Sequence, residues 1–394
     1  MQGPINLDHN ATTPVLPAVA AAMHEAQLRF PGNPASQHAL GRDARRAVED
    51  ARRRIGELVG AGVAGMDADG VMFTSGGPEA NNLALGGLLG GAPRAADRGA
   101  DPTALDLLVS AIEHPSVAAA ADALAAEGRS VARIGVDATG VVRLEHLEQL
   151  LDRGPRLASV MLANNETGVV QPVAAAAALC RGRGVLFHTD AVQAVGKIAV
   201  DFAALGVDAL GIAPHKFHGP RGIGALVVRH GVKLAPQLFG GFQQGGERPG
   251  TESPALVLGM LEALESWHAE AQARRERLAA LGATLVESLQ SSLDGMTIVG
   301  AAAERAPHTL CVAFAGVDRQ ALVLALDMAG GACSAGSACA SGSSEPSPVL
   351  VAMGLPEGVI SSAIRLSWGA ATEPAEMVEA ARRISLCVNR LRRR

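Results

Sequence analysis

The sequence predicts an α/β protein: a mostly parallel central sheet flanked by helices, joined to a smaller α+β unit that includes the C-terminus. Two features of the hydrophobic pattern say so. Up to about residue 252, short runs of buried-strand character alternate with longer Ala/Leu/Arg stretches of helical spacing, as in parallel strands covered on both faces. Beyond that point the alternation stops, one long helical stretch runs over 253–290, and β-like runs and further helices follow.

Taken in order, strands are expected at 71–73, 107–110, 157–162, 185–188, 209–212 and 224–228, with helices at 37–59, 115–126 and 173–183 among them. In the second part, β-like runs fall at 296–299 and 309–314, and helices near 319–328 and 374–392. The chain thus divides into a large unit, 15–252, and a small one made of 1–14 and 253–394. Two Gly-rich stretches interrupt the pattern. Residues 90–106 read as an exposed loop. Residues 330–347 are too poor in bulky side chains to pack well, yet they carry Cys333 and Cys339.

Composition narrows the function. A chain of 394 residues can bury a sizeable core without disulfides or a structural metal, and five cysteines, an odd number, do not form a secreted framework. Lys and Arg total 34 against 39 Asp and Glu, and aromatics are 3% with no Tyr, so nucleic acid is not an expected partner. The basic run Arg52-Arg53-Arg54 reads as a solvated helix face. The longest apolar runs, such as 173–179, fall short of the ~20 residues a membrane span takes. The N-terminal residues lack signal-peptide character. A cytoplasmic enzyme is the expectation.

Four segments carry candidate chemistry. Lys216 follows the strand at 209–212, where strand ends of an open α/β sheet meet a cleft, and an amine there can condense with a carbonyl. By itself it reads more readily as a surface lysine than as a catalytic one. Asp190, in His188-Thr189-Asp190, ends another strand and could either cap the next helix or hold a pyridine nitrogen protonated, the partner that a Schiff-base lysine has in pyridoxal phosphate sites. Ser75-Gly76-Gly77 forms a turn between strand and helix, suited to a phosphate or simply a connection. His114 follows a third strand and could stack on a ring, move protons or be structural.

Together these segments carry a resemblance. Asp8-His9-Asn10-Ala11-Thr12-Thr13-Pro14, Gly32-Asn33-Pro34-Ala35-Ser36, Asn164-Asn165-Glu166-Thr167-Gly168, His215-Lys216-Phe217-His218-Gly219-Pro220, Arg248-Pro249-Gly250-Thr251-Glu252, Gly336-Ser337-Ala338-Cys339 and Ile364-Arg365-Leu366-Ser367 occur in the order found in cysteine desulfurases. The chain resembles that family, class V aminotransferase-like enzymes of pyridoxal phosphate (PLP) fold type I, in the nitrogen-fixation and iron–sulfur branch, over nearly its whole length. The resemblance implies PLP held by Lys216 as a Schiff base, with Asp190 on the ring nitrogen, Gln193 on the ring hydroxyl and His114 stacked on the ring. It implies His215, Ser75, Gly76 and Gly77 around the phosphate, with Thr251 reaching over from the second subunit of a homodimer. Asn165, Arg365 and Asn33 fall at substrate positions. Cys339 would take sulfur from L-cysteine as a persulfide, release alanine and pass the sulfur to an acceptor protein, an iron–sulfur scaffold or a thiolation carrier. Cys180, Cys311 and Cys387 read as inert core thiols. A selenocysteine lyase and a catalytically degenerate partner protein are the rival readings.

Two positions depart from the family pattern. Pro78 stands where a threonine is usual and Ala213 where a serine is usual, so two phosphate donors are missing. Weaker cofactor binding is the expectation.

Overall fold

The computed structural model describes residues 4–90, 103–336 and 345–393. Among them a seven-stranded sheet runs in the order β2 (Gly70–Thr74), β8 (Gly224–Val228), β7 (Ala209–Ile212), β6 (Leu186–Asp190), β5 (Leu157–Ser159), β3 (Leu107–Ser110) and β4 (Val131–Ile134). Strands β4, β3, β5, β6 and β7 pair in parallel, whereas β8 is antiparallel to both β7 and β2. The parallel strands β3, β5 and β7 are buried at every residue, because helices cover both faces.

Helix α3 (Gly77–Leu89) packs on one face of the sheet with α4 (Pro115–Ala126), while α2 (Ala39–Leu58) and α6 (Val173–Arg181) belong to the core of the other. In α2 the buried positions Ala44, Val48, Ala51 and Ile55 recur at helical spacing and form one stripe. Arg52 corrects the expectation of a solvated basic face. Its guanidinium lies 4.6 Å over the Phe73 ring, donates to the Val71 carbonyl at 2.6 Å and pairs with Glu252.

The stretch expected as one helix is two, α8 (Pro254–Ala269) and α9 (Ala271–Gln290), separated at Glu270, whose ψ of 20° leaves the helical range. The break lets α8 bury Val257, Met260 and Leu264 with the large sheet's helices, while α9 buries Leu278, Leu281, Leu285 and Leu289 in a second core. That core also holds β10 (Thr309–Phe314), β12 (Ala363–Ser367), α10 (Arg319–Met328) and α13 (Pro374–Arg392). Strand β10 lies between β9 (Met296–Ile298) and β12, antiparallel to both. Trp368, 2% exposed, donates its indole N–H to the Leu278 carbonyl at 2.9 Å and so ties α9 to the end of β12.

The N-terminal segment belongs to this second core as well. Strand β1 (Ile5–Asn6) pairs in parallel with β11 (Gly331–Ala332), and Ile5 and Leu7 are buried beside Leu326 and Leu366. No helix among the described residues is long and apolar enough to cross a membrane. No group of three or more metal-ligating side chains is found among them.

Candidate active site

The carboxyl ends of β3, β5, β6 and β7 open on one edge of the sheet, the ligand position of an open α/β fold. A cavity of about 210 Å³ lies there, lined by His114, Asn165, Asp190, Gln193, His215, Lys216 and Arg365 among others. Arg365 comes from β12 of the second sheet and Asn10 and Ala11 from the N-terminal segment, so both cores build the site.

Asp190 is fixed from two sides. Its Oδ1 accepts from the Val192 N–H at 2.9 Å and its Oδ2 from Asn81 Nδ2 at 2.8 Å. Asn81, on α3, also donates to the Ser116 hydroxyl at 2.8 Å, while its own Oδ1 is buried without a partner. His114 caps α4. Its Nδ1 accepts from the Ser116 N–H at 3.1 Å, which places the proton of the neutral ring on Nε2. Burial lowers its pKa, with Lys216 and Arg365 adding to the shift and Asp190 opposing it.

Lys216 Nζ donates to the carbonyls of Asn10 and Ala11 at 2.6 and 2.9 Å. The same Asn10 carbonyl accepts from Gln193 Nε2 at 3.0 Å. Two residues on, His218 has a left-handed φ of 69°, uncommon for a side chain of this size. Three bonds hold it there: its N–H donates to Thr13 Oγ1, its ring Nδ1 donates to the Pro14 carbonyl, and its Nε2 accepts from the Ala370 N–H. The lysine therefore follows a backbone path pinned by the N-terminal segment.

Arg365 is 2% exposed. Its Nη1 donates to the Asn165 carbonyl at 3.1 Å and its Nη2 to Asp8 at 2.7 Å, while Nε is buried without a partner. Asn165 Oδ1, Gln193 Oε1 and Asn10 Oδ1 are orphaned in the same way. Buried polar groups left open around one cavity are what a polar ligand would satisfy.

The other expected residues fall differently. Gly77 and Pro78 line the cavity at the start of α3, where backbone N–H groups have no helical partner. Ser75 and Gly76 do not line it, and the Ser75 N–H is taken by Glu79 at 2.6 Å. A Cβ on Gly224 of β8 would lie 2.6 Å from the Gly76 backbone, so strand and turn touch directly. His215 lines the cavity with its Nδ1 3.3 Å from Thr12 Oγ1, and burial, reinforced by Lys216, pushes its pKa down to about 4. Ala213 also lines the cavity and lies beside Gly77. Thr251 is exposed and outside this chain's cavity. Asn33 is exposed too, its side chain turned back to accept from the Ala35 N–H at 2.9 Å. Cys339 lies outside the described residues. Cys333 is a thiol whose pKa burial pushes up to about 12, and burial does the same to Cys180 and Cys311 and raises that of Cys387.

A family model, class-V aminotransferase, matches residues 5–380. The chain belongs to the class-V aminotransferase family. It is 39% identical to a cysteine desulfurase of Cereibacter sphaeroides over 95% of this chain and 94% of that one. It is 35% identical to the cysteine desulfurase IscS of Dictyoglomus turgidum, over 96% and 92%. Among solved structures, a NifS-like protein superposes with a TM-score of 0.87 at 30% identity, covering 98% of this chain and 99% of that one. DndA from Streptomyces lividans superposes at 0.74 and 33% identity, over 91% and 98%. The chain is thus a cysteine desulfurase by descent, with the fold of the PLP enzymes of type I, in a family whose chemistry depends on PLP.

Sequence reasoning gave no role to Asn81, Glu113, Lys197 or Asp8. Glu113 is buried, accepting from the Ser110 hydroxyl at 2.6 Å and the Met161 N–H at 2.8 Å, and burial with the nearby Asp190 pushes its pKa up to about 8. Buried histidines surround the site. Burial pushes His9 down to about 3, His188 and His218 to about 4, and His308 well below its usual value. Each stays neutral in the folded protein but takes up a proton on unfolding below pH 6.5, so their stabilisation is full above 6.5 and lost as pH falls toward 4. Glu113 runs the other way, its contribution being full below 4.5 and lost as pH rises toward 8. His215 and His114, lowered by burial as well, act in the same direction, so these bases outweigh the one acid and unfolding near pH 5 should bind several protons net. The melting temperature of the cofactor-free protein is expected to fall steadily from pH 6.5 to 5. A flat or rising profile would contradict it.

Proposed function

We propose that the chain converts L-cysteine to L-alanine with PLP on Lys216, moving the sulfur to Cys339 and from there to an acceptor protein. The supporting observation is the convergence of Lys216, Asp190, Gln193, His114 and Arg365 on one cavity. When bound, PLP supplies an electron sink for the substrate's α-carbon. Asp190, already oriented by Asn81 and Val192, would hold the ring nitrogen protonated. Gln193 and Asn165 would meet polar groups with the buried oxygens that now lack partners. Arg365 would take the substrate carboxylate on its open Nε edge. Lys216 would return and remove protons once its amine leaves the Asn10 and Ala11 carbonyls. The test is equimolar alanine and sulfide from L-cysteine with PLP and a reductant. Bound PLP without alanine would overturn the substrate assignment.

The phosphate end is the weak one. Pro78 cannot donate from its backbone nitrogen, and Ala213 presents a methyl group where a hydroxyl would serve. A hydrogen bond to a charged group contributes about 1.5–3 kcal/mol. The double variant Pro78→Thr, Ala213→Ser restores two such bonds and is therefore expected to tighten PLP binding by roughly a hundredfold or more in equilibrium dialysis. Unchanged affinity would show that the existing donors already saturate the phosphate.

The proposal includes a homodimer. Thr251 sits on a loop clamped to its own chain by Arg248 against Glu79 and by Gln244, whose amide accepts from and donates to Phe73 on the outer edge of β2. Thr251 is exposed, as are Phe239 and Phe242 earlier in the same stretch of chain. Sedimentation is expected to give a dimer. A monomer with full activity would remove Thr251 from the site.

A further inference from the structure

We propose that Asp8 is the positioning residue for Arg365, setting the direction in which the guanidinium offers its free edge to the substrate carboxylate. This rests on the reading of Arg365 as the ligand of that carboxylate. A guanidinium is planar, so holding two of its nitrogens fixes where the third points. Asp8 Oδ1 takes Nη2 at 2.7 Å and the Asn165 carbonyl takes Nη1 at 3.1 Å, leaving the buried Nε with its N–H open. Asp8 is the one ion-pair partner of Arg365 among the described residues. The Asn165 carbonyl alone would leave the plane free to swing about a single bond.

The mount of Asp8 is rigid. Leu7, beside it, accepts from the Ser367 N–H at 2.7 Å and donates to the Ala332 carbonyl at 2.8 Å, and Asp8 itself forms a bridge with Ser367. Asp8 and Arg365 thus sit on neighbouring backbones two residues apart in register. The Arg365 backbone also exchanges hydrogen bonds with Ser334, which leads into the segment carrying Cys339. One hydrogen-bonded junction thereby joins Arg365 to Ser334, five residues before Cys339 in the sequence.

The opposite role is also physical: Asp8 could compete with the substrate for the guanidinium, and its removal would then tighten binding. Kinetics with L-cysteine separate the two. Asp8→Asn keeps the size and removes the charge. It is expected to raise KM for L-cysteine about tenfold with kcat changed less than about threefold, since an interaction made equally in ground and transition states is lost. Cysteamine, which is L-cysteine without its carboxylate, should inhibit the variant and the parent with the same constant, an outcome that general disruption of the site would not give. A KM that is unchanged or lowered, or a cysteamine constant that rises in step with KM, overturns the proposal. Arg365→Lys is run beside it. If that variant raises KM and Asp8→Asn does not, the positioning role alone fails. If Arg365→Lys leaves KM unchanged, the reading of Arg365 fails and the role of Asp8 with it.

Discussion

Replacing Cys339 with alanine is expected to reduce alanine and sulfide formation from L-cysteine by about 10³-fold or more, with PLP content unchanged. None of the described cysteines can take over, and Cys387 on α13, half-buried against the Ala325 carbonyl with its thiol pKa raised by burial, is no exception. Cys180 and Cys311 are buried in strand and helix packing, and Cys333 packs against the second core. Burial holds all three as thiols, with pKa values near 12, and a thiol is a poor nucleophile beside a thiolate. Cys333→Ala is accordingly expected to keep activity within about twofold, because its sulfur contributes packing rather than chemistry. Residual turnover above a few per cent in the Cys339 variant, lost only when Cys333 is also removed, would reverse the assignment.

Asp190→Asn is expected to lower turnover by a similar factor while leaving the fold intact. The estimate comes from electrostatics. A carboxylate about 4 Å from a protonated ring nitrogen, at an effective dielectric constant of about 20, contributes about 4 kcal/mol, which is roughly three decades of rate when that protonation is what stabilises the transition state. The structure says why the fold should tolerate the change. Asn81 donates to Asp190 through Nδ2 while its own Oδ1 is buried and unpartnered, so rotating the Asn81 amide by half a turn would give an asparagine at 190 an acceptor in place of a donor. A variant with normal melting temperature, normal PLP content and undiminished alanine formation would show that the ring nitrogen need not be protonated.

Much of this site was legible in the chain because its chemistry sits at strand ends. Buried strands announce themselves as apolar runs, so the positions just after 190 and 212 could be placed on the cleft without knowing the neighbouring strands. Strand direction is not encoded that way. Strand β8 reads like its neighbours, but it runs antiparallel because the chain turns back at the cleft end of β7, where Ala225 pairs with Ile212, without a crossover helix to return it to the other end. Strand β4 was not expected at all, since Val131–Ile134 is only half-buried and carries Arg133. The single helix over 253–290 failed for a related reason, because periodicity continues through Glu270 while the two halves serve different cores. Asn33 matched a motif yet lies outside the cavity, because its side chain turns back to its own backbone at Ala35. Asp8 fell in a matched motif that named no role for it, and Asn81 and Glu113 carried no signal beyond being polar. Their importance comes from partners up to 357 positions away.

The pinning of Lys216 by the N-terminal segment has a consequence for synthesis. Residues 5–14 leave the ribosome long before the strands that receive them, Gly331–Ala332 and Ala363–Ser367, are made. The sheet bounded by Gly70 and Val228 can assemble on the nascent chain with Asp190 and Lys216 already in place. The strand ends then wait, open on one side, until the far end of the polypeptide arrives to seat the beginning. Residues 5–14 are thus made well before they can find their places, and a ribosome stalled short of residue 367 would present the lysine without the wall that holds it.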